Sequence, residues 1–517
     1  MSALRNAALR SCAVLFLGSL SLLHTRNLPA QQAGTAYCAT RSEGLCAPPV
    51  FSRFSPLEQI AASANQATFD TLDPVCAPDA TGTPQCTGDV LSVYEEVREL
   101  VHTANSLAGN PSLPTEFSLE LDQEGLGFAL RWTAAEEMAA QGSITTEFAA
   151  NQLAALAARV AALRWGLTGL RTAASWDPSG RVIVAGTGAP LLGGGASGDD
   201  EWVSGRWGWF LDGSFGYGSK EDTTFISTPG AAYEDGFDFD GQEITLGTDY
   251  RFSESIALGL ALGYSDKQID FDSAVSIVDG DIDTDGYSGQ LYLLMEGEHA
   301  YLSASLGYQV LSMDVRRRIV YPSFNPDVPS ADSTALSSVD SASFIGSVGG
   351  GYQFRSAGFA AEPYIDVRYV DATIDGFSER SFPTGSPGSS GDFAALRIGE
   401  QSIESLNLSL GLRLQYVFTP PFGVLIPYLR GAYHQELLDD SRDVIATYEG
   451  ALAQLIGGNG TSFIVPTDAP DEEYYTVSAG LSVALPAGLQ GFLQYLEVFD
   501  LDFYDESVIS GGVRYEF

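Results

Sequence analysis

The sequence is short of positive charge, of cysteine and of long apolar runs. Of its 517 residues, 26 are lysine or arginine and 66 are aspartate or glutamate, which gives a net charge of −40 at pH 7. A surface of this charge repels the phosphates of nucleic acid, so nucleic-acid binding is excluded. The longest uncharged apolar run, residues 13–23, has about half of the length that a membrane-spanning helix needs, which excludes a helical membrane protein.

The apolar run near the N-terminus is typical of a secretory signal peptide. It follows Arg5 and Arg10 and precedes the small-residue sequence Leu28-Pro29-Ala30, where we expect cleavage. Residues 1–30 are therefore predicted to direct export through the Sec translocon. The alternative is a buried helix of the mature fold.

Four cysteines remain after Cys12 leaves with the signal, and all of them lie before residue 90. An even number of thiols in an exported chain predicts disulfides, because the compartment outside the inner membrane is oxidising. The spacings favour Cys38 with Cys46 and Cys76 with Cys86, although three connectivities are possible. A zinc site would need shorter CxxC-like pairs, so we expect no metal and no cofactor.

Residues 31–175 have helical periodicity. A capping box, Ser55 with Glu58, and Pro56 at the first helical position predict a helix to about Phe69. Apolar residues at three- and four-residue spacing predict a second helix over residues 90–107. An alanine-rich stretch, residues 145–172, predicts a third. Residues 176–204, rich in glycine and aspartate, form the expected linker.

From residue 205 onward the period changes to two, as in β-strands. One face is apolar and the other carries glycine, alanine, serine and asparagine, which suits a membrane barrel with a filled lumen better than a soluble sandwich. Twelve segments have the length of a tilted spanning strand. They are residues 205–217, 237–252, 256–270, 283–296, 299–318, 337–355, 359–374, 400–418, 423–436, 473–485, 488–500 and 507–517.

The connections between these segments alternate between long and short. The short ones are residues 253–255, 297–298, 356–358, 419–421 and 486–487. Outer-membrane barrels have short periplasmic turns and long outward loops, whereas a sandwich has no reason to keep this parity. The sequence therefore predicts a mainly β fold, a C-terminal 12-stranded antiparallel transmembrane β-barrel preceded by a small disulfide-containing α-helical region.

Aromatic pairs recur where strands reach the short turns. Two aromatic residues one position apart fall on the lipid-facing side at one level, which predicts an interfacial girdle. The pairs are Tyr250 with Phe252, Tyr352 with Phe354, Tyr416 with Phe418, and Tyr515 with Phe517.

On these features, residues 205–517 resemble the autotransporter β-domain, the twelve-stranded translocator of type V secretion. The last residues, which include Gly512, Val513, Tyr515 and Phe517, look like the signal read by the barrel assembly machinery. The resemblance also implies contact with outer-membrane lipid and lipopolysaccharide, and it places the helix of residues 145–172 in the pore. The alternative is an ordinary helix of a periplasmic domain.

Signs of enzyme chemistry are weak. His102 is the one histidine of the helical region, and on a predicted helix we interpret it as solvated rather than as part of a catalytic triad. Residues 279–286 begin like a calcium loop but lack the acid at position 12, so we interpret them as a solvated acidic loop. Arginines of the triplet Arg316-Arg317-Arg318, at the outer end of the fifth strand, could bind lipopolysaccharide phosphates. Alternatively, Arg316 and Arg318 face the lumen and pair with its acids.

The leading hypothesis is therefore a non-enzymatic translocator and anchor that exports or displays its N-terminal segment. The alternatives are a porin-like channel whose N-terminal domain is periplasmic, and a surface adhesin or hydrolase carried by residues 31–175.

Overall fold

The computed structural model describes residues 37–516, with gaps at 80–81, 165–173, 177–181, 185–206, 222–235, 254, 272–278, 357, 384–394, 439–441, 450–461, 468–469, 486–488 and 503. The predicted signal peptide, most of the predicted linker and Phe517 thus lie outside the described residues, as do the turn at 486–487 and residues 165–172 of the third predicted helix. The domain boundaries remain predictions.

Among the described residues, five α-helices precede the strands: α1 (Pro48–Phe51), α2 (Pro56–Cys76), α3 (Asp89–Ala108), α4 (Gln123–Trp132) and α5 (Ala140–Arg164). Short 3-10 turns occupy Cys38–Thr40, Gly44–Cys46 and Glu136–Ala139. The predicted capping box begins α2, since Ser55 and Glu58 exchange hydrogen bonds. Among the described helices, none has both the length and the apolar character needed to cross a bilayer.

Two of the predicted helices have one end in the wrong place. The helix α2 continues past Phe69 to Cys76, because its next turn buries Leu72 and Cys76 in the core of the helical region. The helix α5 begins at Ala140 rather than at residue 145. The helix α4, which begins at Gln123 after the N-cap Asp122, was not predicted from the sequence.

Twelve long strands form the barrel, and each pairs antiparallel with its chain neighbours. They are β1 (Trp207–Lys220), β2 (Phe237–Ser253), β3 (Ile256–Phe271), β4 (Gly280–Glu296), β5 (Ala300–Tyr321), β6 (Ala331–Tyr352), β7 (Phe359–Ile374), β8 (Gln401–Tyr416), β9 (Val424–Glu436), β10 (Glu473–Ala484), β11 (Leu489–Phe499) and β12 (Tyr504–Glu516). The barrel closes because β12 pairs with β1, from Tyr504 with Lys220 to Glu516 with Gly208. The predicted fold class is confirmed.

Shorter strands accompany the barrel. Phe354–Ser356 and Arg380–Pro383 pair with β7 and β6, respectively. Phe377–Ser378, Leu396–Ile398, Asp443–Tyr448 and Ser462–Pro466 form a separate sheet among the long loops. Ala174–Trp176 pairs with Val182–Val184.

Side chains alternate between a wall exposed to the outside and a buried lumen. On β3, Leu260 is 43% exposed, whereas its neighbours Ala257 and Ala261 are buried. Strands β5 and β6 extend beyond the others, so that Leu336 is 45% exposed on a part of the wall far from the short turns. The helical region packs at this long-loop end. Its apolar residues form one core with inward residues at the long-loop ends of the strands, among them Ile282 on β4 and Ile319 on β5.

Replacing Leu260 by arginine tests the lipid-facing wall. We expect Leu260→Arg to lower the free energy of unfolding by about 2–4 kcal/mol, since a guanidinium would lie within hydrocarbon. Urea unfolding in lipid vesicles, followed by tryptophan fluorescence, measures this. The matched control is Leu336→Arg, which places the same cation on the strand extension, in water. Equal effects of the two substitutions would contradict the assignment of the wall.

Candidate functional site in the barrel lumen

The helix α5 occupies the lumen. Its 25 residues span about 37 Å at 1.5 Å per residue, which is enough to cross the barrel. It packs against β4–β7 and against β3. Its apolar residues Leu153, Leu156, Val160 and Leu163 are buried against small or apolar wall residues. The close fit also depends on Gly286, since a Cβ there would lie 2.9 Å from the Phe148 ring.

The N-terminal end of α5 lies at the long-loop end of the barrel. The Ser143 hydroxyl lies 3.0 Å from the Tyr504 hydroxyl, where β12 begins. Gln401, at the start of β8, donates to the side chain of Gln141 over 3.1 Å. Arg442, in the connection after β9, donates to the carbonyl oxygen of Ala139.

Amide side chains of α5 bind a half-buried carboxylate in the middle of the lumen. Asn151 and Gln152 each donate to a different oxygen of Glu243 over 3.2 Å. Ser288 on β4 donates to the Gln152 side-chain oxygen over 2.8 Å. Lys267 and Glu147 form an ion pair nearby. Each of these polar groups thus obtains a partner across the helix–wall contact, as burial requires.

Two buried ion pairs hold the C-terminal end of α5 at the short-turn end. The Arg159 guanidinium donates to Asp249 over 2.9 Å through Nε. Arg164 holds Glu362 in a two-point contact of 2.7 and 2.9 Å. None of these four side chains is more than 3% exposed. Such pairs are short and directional, and removing one partner leaves a buried charge without compensation.

The helical region is bound to the strand extensions by polar contacts as well as by the shared core. Arg317 on β5 is fully buried, pairs with Glu379 at 2.7 Å and donates to the Trp132 carbonyl oxygen over 2.9 Å. The Tyr448 hydroxyl donates to Asn65 over 2.9 Å. The sequence did not indicate that Arg317 is the buried member of the triplet Arg316-Arg317-Arg318. The alternative that Arg316 and Arg318 face the lumen is wrong. The side chain of Arg316 is 45% exposed and that of Arg318 is 42% exposed, and each pairs with an aspartate.

A buried pair of carboxylates lies where α3 meets β5. Glu96 and Glu99, one helical turn apart, are 2% and 5% exposed. The Tyr321 hydroxyl donates to Glu96 over 3.0 Å. Burial, and then the negative charge of Glu96, raise the pKa of Glu99 to about 9. The docked helical region therefore holds a protonated Glu99 at neutral pH.

Comparison with known proteins now decides the family. The profile of the autotransporter β-domain matches residues 216–496, which is more than half of the chain. The chain belongs to the autotransporter β-domain family. The resemblance drawn from the sequence is thereby confirmed.

Solved structures that are similar to the chain include autotransporter translocators. The chain is 16% identical to the translocator domain of the autotransporter NalP from Neisseria meningitidis, over 60% of this chain and 89% of that one, with a TM-score of 0.43. It is 17% identical to the β-domain of the Bordetella autotransporter Brka, over 60% of this chain and 100% of that one, with a TM-score of 0.38. Among curated proteins nothing matches.

Membership in the autotransporter β-domain family implies that the barrel inserts into the outer membrane and has the role of a translocator. The described aromatic residues of the predicted girdle lie together in pairs on the outer wall. Within each of the three described pairs the ring centroids lie 4.7–4.9 Å apart, at the short-turn end of the wall. Five of these six rings, all but that of Tyr250, are at least 42% exposed. Their contact with lipid headgroups stays a prediction.

The remaining predicted site residues lie at two places. Disulfides join Cys38 to Cys46 and Cys76 to Cys86, within the helical region. Of the predicted assembly signal, Gly512, Val513 and Tyr515 lie on β12, with Val513 exposed on the outer wall. Tyr515 pairs in register with Leu489 and Trp209.

The two chemical motifs have different surroundings from those expected. His102 is buried rather than solvated. Its Nδ1 accepts a hydrogen bond from the Phe117 amide over 3.2 Å, and burial, followed by the charge of Arg98, lowers its pKa to about 4.

Residues 280–286 belong to β4 rather than to a loop. No group of three possible metal ligands occurs among the described residues.

Removing the charge of Glu362 should loosen α5 in the lumen. We expect Glu362→Gln to cost about 3–5 kcal/mol of stability, because Arg164 would be buried without its counter-ion, and to raise the conductance of the barrel in planar bilayers. The double variant Arg164→Gln/Glu362→Gln should recover part of the stability. Glu298→Gln, at an exposed short turn, is the control. Unchanged conductance and stability in Glu362→Gln would contradict the role of the pair.

The raised pKa of Glu99 predicts a pH dependence of stability. As pH rises from about 4.5 to about 9, the unfolded chain loses this proton while the folded chain keeps it, so stability falls over that range and then levels off. Glu99→Gln should raise stability by roughly 1–3 kcal/mol at pH 8 and have little effect at pH 5. Thermal unfolding followed by circular dichroism measures this, with exposed Glu116→Gln as the control. A variant that retains the full pH dependence would refute the assignment.

Proposed function

We propose that the barrel exports residues 31 to about 175 and anchors the helical region at the cell surface, without catalysing a reaction. The observation that carries the proposal is the path of the chain. The helical region lies at the long-loop end, α5 runs from there to the short-turn end, and β1 begins at the short-turn end, where Trp207 pairs with Tyr250. The helical region is thus separated from the start of the barrel by the whole lumen.

Two further features support this direction. Both ends of the barrel meet at the short-turn end, where Gly208 pairs with Glu516, and short turns are periplasmic in outer-membrane barrels. A chain that arrives from the periplasm therefore needs the lumen to place its N-terminal segment outside. The two disulfides enclose loops of only eight and ten residues in sequence separation, so they add little bulk to a segment in transit.

The helical region is proposed to remain attached after export. Its core is continuous with that of the strand extensions, and Arg317, Tyr321 and Tyr448 all reach it from the barrel side. Released passengers would leave these buried groups in water. The region thus acts as a fixed surface domain that closes the outer mouth of the barrel.

The partners are proposed on the same basis. Export of the unfolded chain would use the Sec translocon, and the barrel assembly machinery would read β12 together with Phe517. Outer-membrane lipid and lipopolysaccharide would surround the exposed wall, with the aromatic pairs such as Tyr416 and Phe418 at the periplasmic interface.

Epitope accessibility on intact cells tests the orientation. An epitope inserted between Asn110 and Pro111, an exposed turn after α3, should bind antibody on intact cells. The same epitope inserted between Pro420 and Pro421, in a short turn, is the control and should bind only after permeabilisation. The reverse pattern would indicate a periplasmic helical region and thus a porin-like channel. Protection of residues 37–139 from external protease would likewise contradict display.

A further inference from the structure

Five neutral polar side chains of the lumen wall are buried without a complete set of hydrogen bonds. Each is at most 5% exposed, and at least one polar atom of each has no hydrogen-bonding partner within the part of the chain that the structure describes. Buried polar groups without partners are rare in native proteins, so each requires an explanation. These five wall groups are Thr284 and Gln290 on β4, Gln309 on β5, Gln415 on β8 and Ser478 on β10.

Gln290 is the clearest example among them. It is 1% exposed, and neither its amide nitrogen nor its amide oxygen has a partner among the described residues. Its cross-strand neighbours are Ala261 on β3 and Gly307 on β5, which have no polar side-chain atoms. Leu156 of α5 packs in the same apolar cluster as Ala261, and the main chain of a helix is hydrogen-bonded within itself. The folded lumen therefore surrounds this amide with groups that cannot bind it.

The other wall groups are distributed along the lumen. The Gln309 amide is half engaged: its nitrogen donates to the Thr145 carbonyl oxygen over 3.2 Å, whereas its oxygen has no partner in the described structure. Thr284 lies toward the long-loop end of β4, and Gln415 lies one residue from the short-turn end of β8. The set therefore extends from one end of the lumen to the other rather than marking one pocket.

The chemistry of the five wall groups suits the main chain of a polypeptide. A glutamine amide and a hydroxyl can each donate and accept a hydrogen bond. The main chain offers one N–H donor and one C=O acceptor at every residue except proline, whatever the side chain. Neutral groups that both donate and accept can therefore bind a chain of almost any sequence.

The conformation of the chain in the lumen decides whether these groups find partners. In α5 the main-chain N–H and C=O groups pair within the helix, so that mainly its side chains meet the wall. An extended segment pairs none of its main-chain groups internally, and each group that leaves water without a partner costs free energy. The five wall groups therefore match an extended segment better than they match the helix.

We propose that the five wall groups bind the main chain of the extended polypeptide that crosses the lumen before α5 forms there. This inference rests on the proposed function, because it assumes that the segment N-terminal to α5 passes through the barrel. During transit each wall group has a main-chain partner, and it loses that partner when α5 folds. The folded protein thus keeps buried polar groups that lower its stability because they serve the earlier step.

The substitution Gln290→Met separates a role in export from a role in the folded state. Methionine is unbranched like glutamine, has no amide and packs well among apolar side chains. The unfolding temperature of the full chain in detergent should therefore rise, because a buried amide without partners is removed. Export should nevertheless become slower by about threefold to tenfold, the factor that the loss of one net hydrogen bond gives.

The export rate is measured as the rate at which an epitope between Asn110 and Pro111 becomes accessible to antibody on intact cells after induction, relative to the amount of folded barrel. The matched control is Leu291→Met, since Leu291 is the next residue of β4 and is exposed on the outer wall. It should leave the export rate unchanged. Gln415→Met should show the same two effects as Gln290→Met, and it keeps the inference testable if Gln290→Met fails to fold.

Three results distinguish this inference from the proposed function. An unchanged or faster export rate in both glutamine variants would overturn the inference. Slower export together with a lower unfolding temperature would also overturn it, because a damaged barrel then explains the delay. An epitope that never reaches the surface in the unsubstituted chain would instead contradict the proposed function, and the inference with it.

Discussion

The structure depends on the match of buried charges between α5 and the barrel wall. A closed barrel with a polar inner face leaves carboxylates such as Asp249 and Glu362 in a lumen that α5 fills, where water is largely excluded. Arg159 and Arg164 supply the counter-ions from the helix, 2.9 and 2.7 Å away. Because a buried ion without its partner costs several kcal/mol, these pairs select one depth and one rotation of α5, and with them the position of everything N-terminal to it.

The position of α5 in turn explains why the helical region and the barrel share one core. Once Ala140 lies at the long-loop end, residues 37–139 are confined to the mouth formed by the extensions of β5 and β6. The inward face of β5 carries Met313, Val315 and Ile319 there, which would be exposed to water without the helices. The long extensions of β5 and β6 therefore bury their apolar residues only when the helical region packs on them. Neither part has a complete core alone.

The sequence predicts most of the barrel and little of the lumen. The period of two and the recurring aromatic pairs report on one strand at a time, so all twelve strands are predicted, with ends correct to within three residues except that β6 begins six residues earlier than predicted. The lumen contacts join residues far apart in the chain, and no local pattern marks them. Arg317 is an example. Which member of Arg316-Arg317-Arg318 is buried depends on the strand register, and a shift of the register by one residue would exchange the buried and the exposed side chains. The burial of His102 and Glu99 was missed for the same reason, because the face of α3 that they occupy is covered by residues 117 and 321.

The distribution of charge connects the lumen with the proposed export. Carboxylates outnumber arginines in the helical region, whereas the C-terminal end of α5 carries Arg159 and Arg164. On the described lumen wall near the short turns, arginines and carboxylates are interspersed, so neither sign of charge prevails there. Under the proposed export, the acidic segment would pass first, and Arg159 and Arg164 would enter the lumen last. Because Asp249 and Glu362 are matched by these two arginines, the ion pairs that fix α5 would form only after the segment has passed.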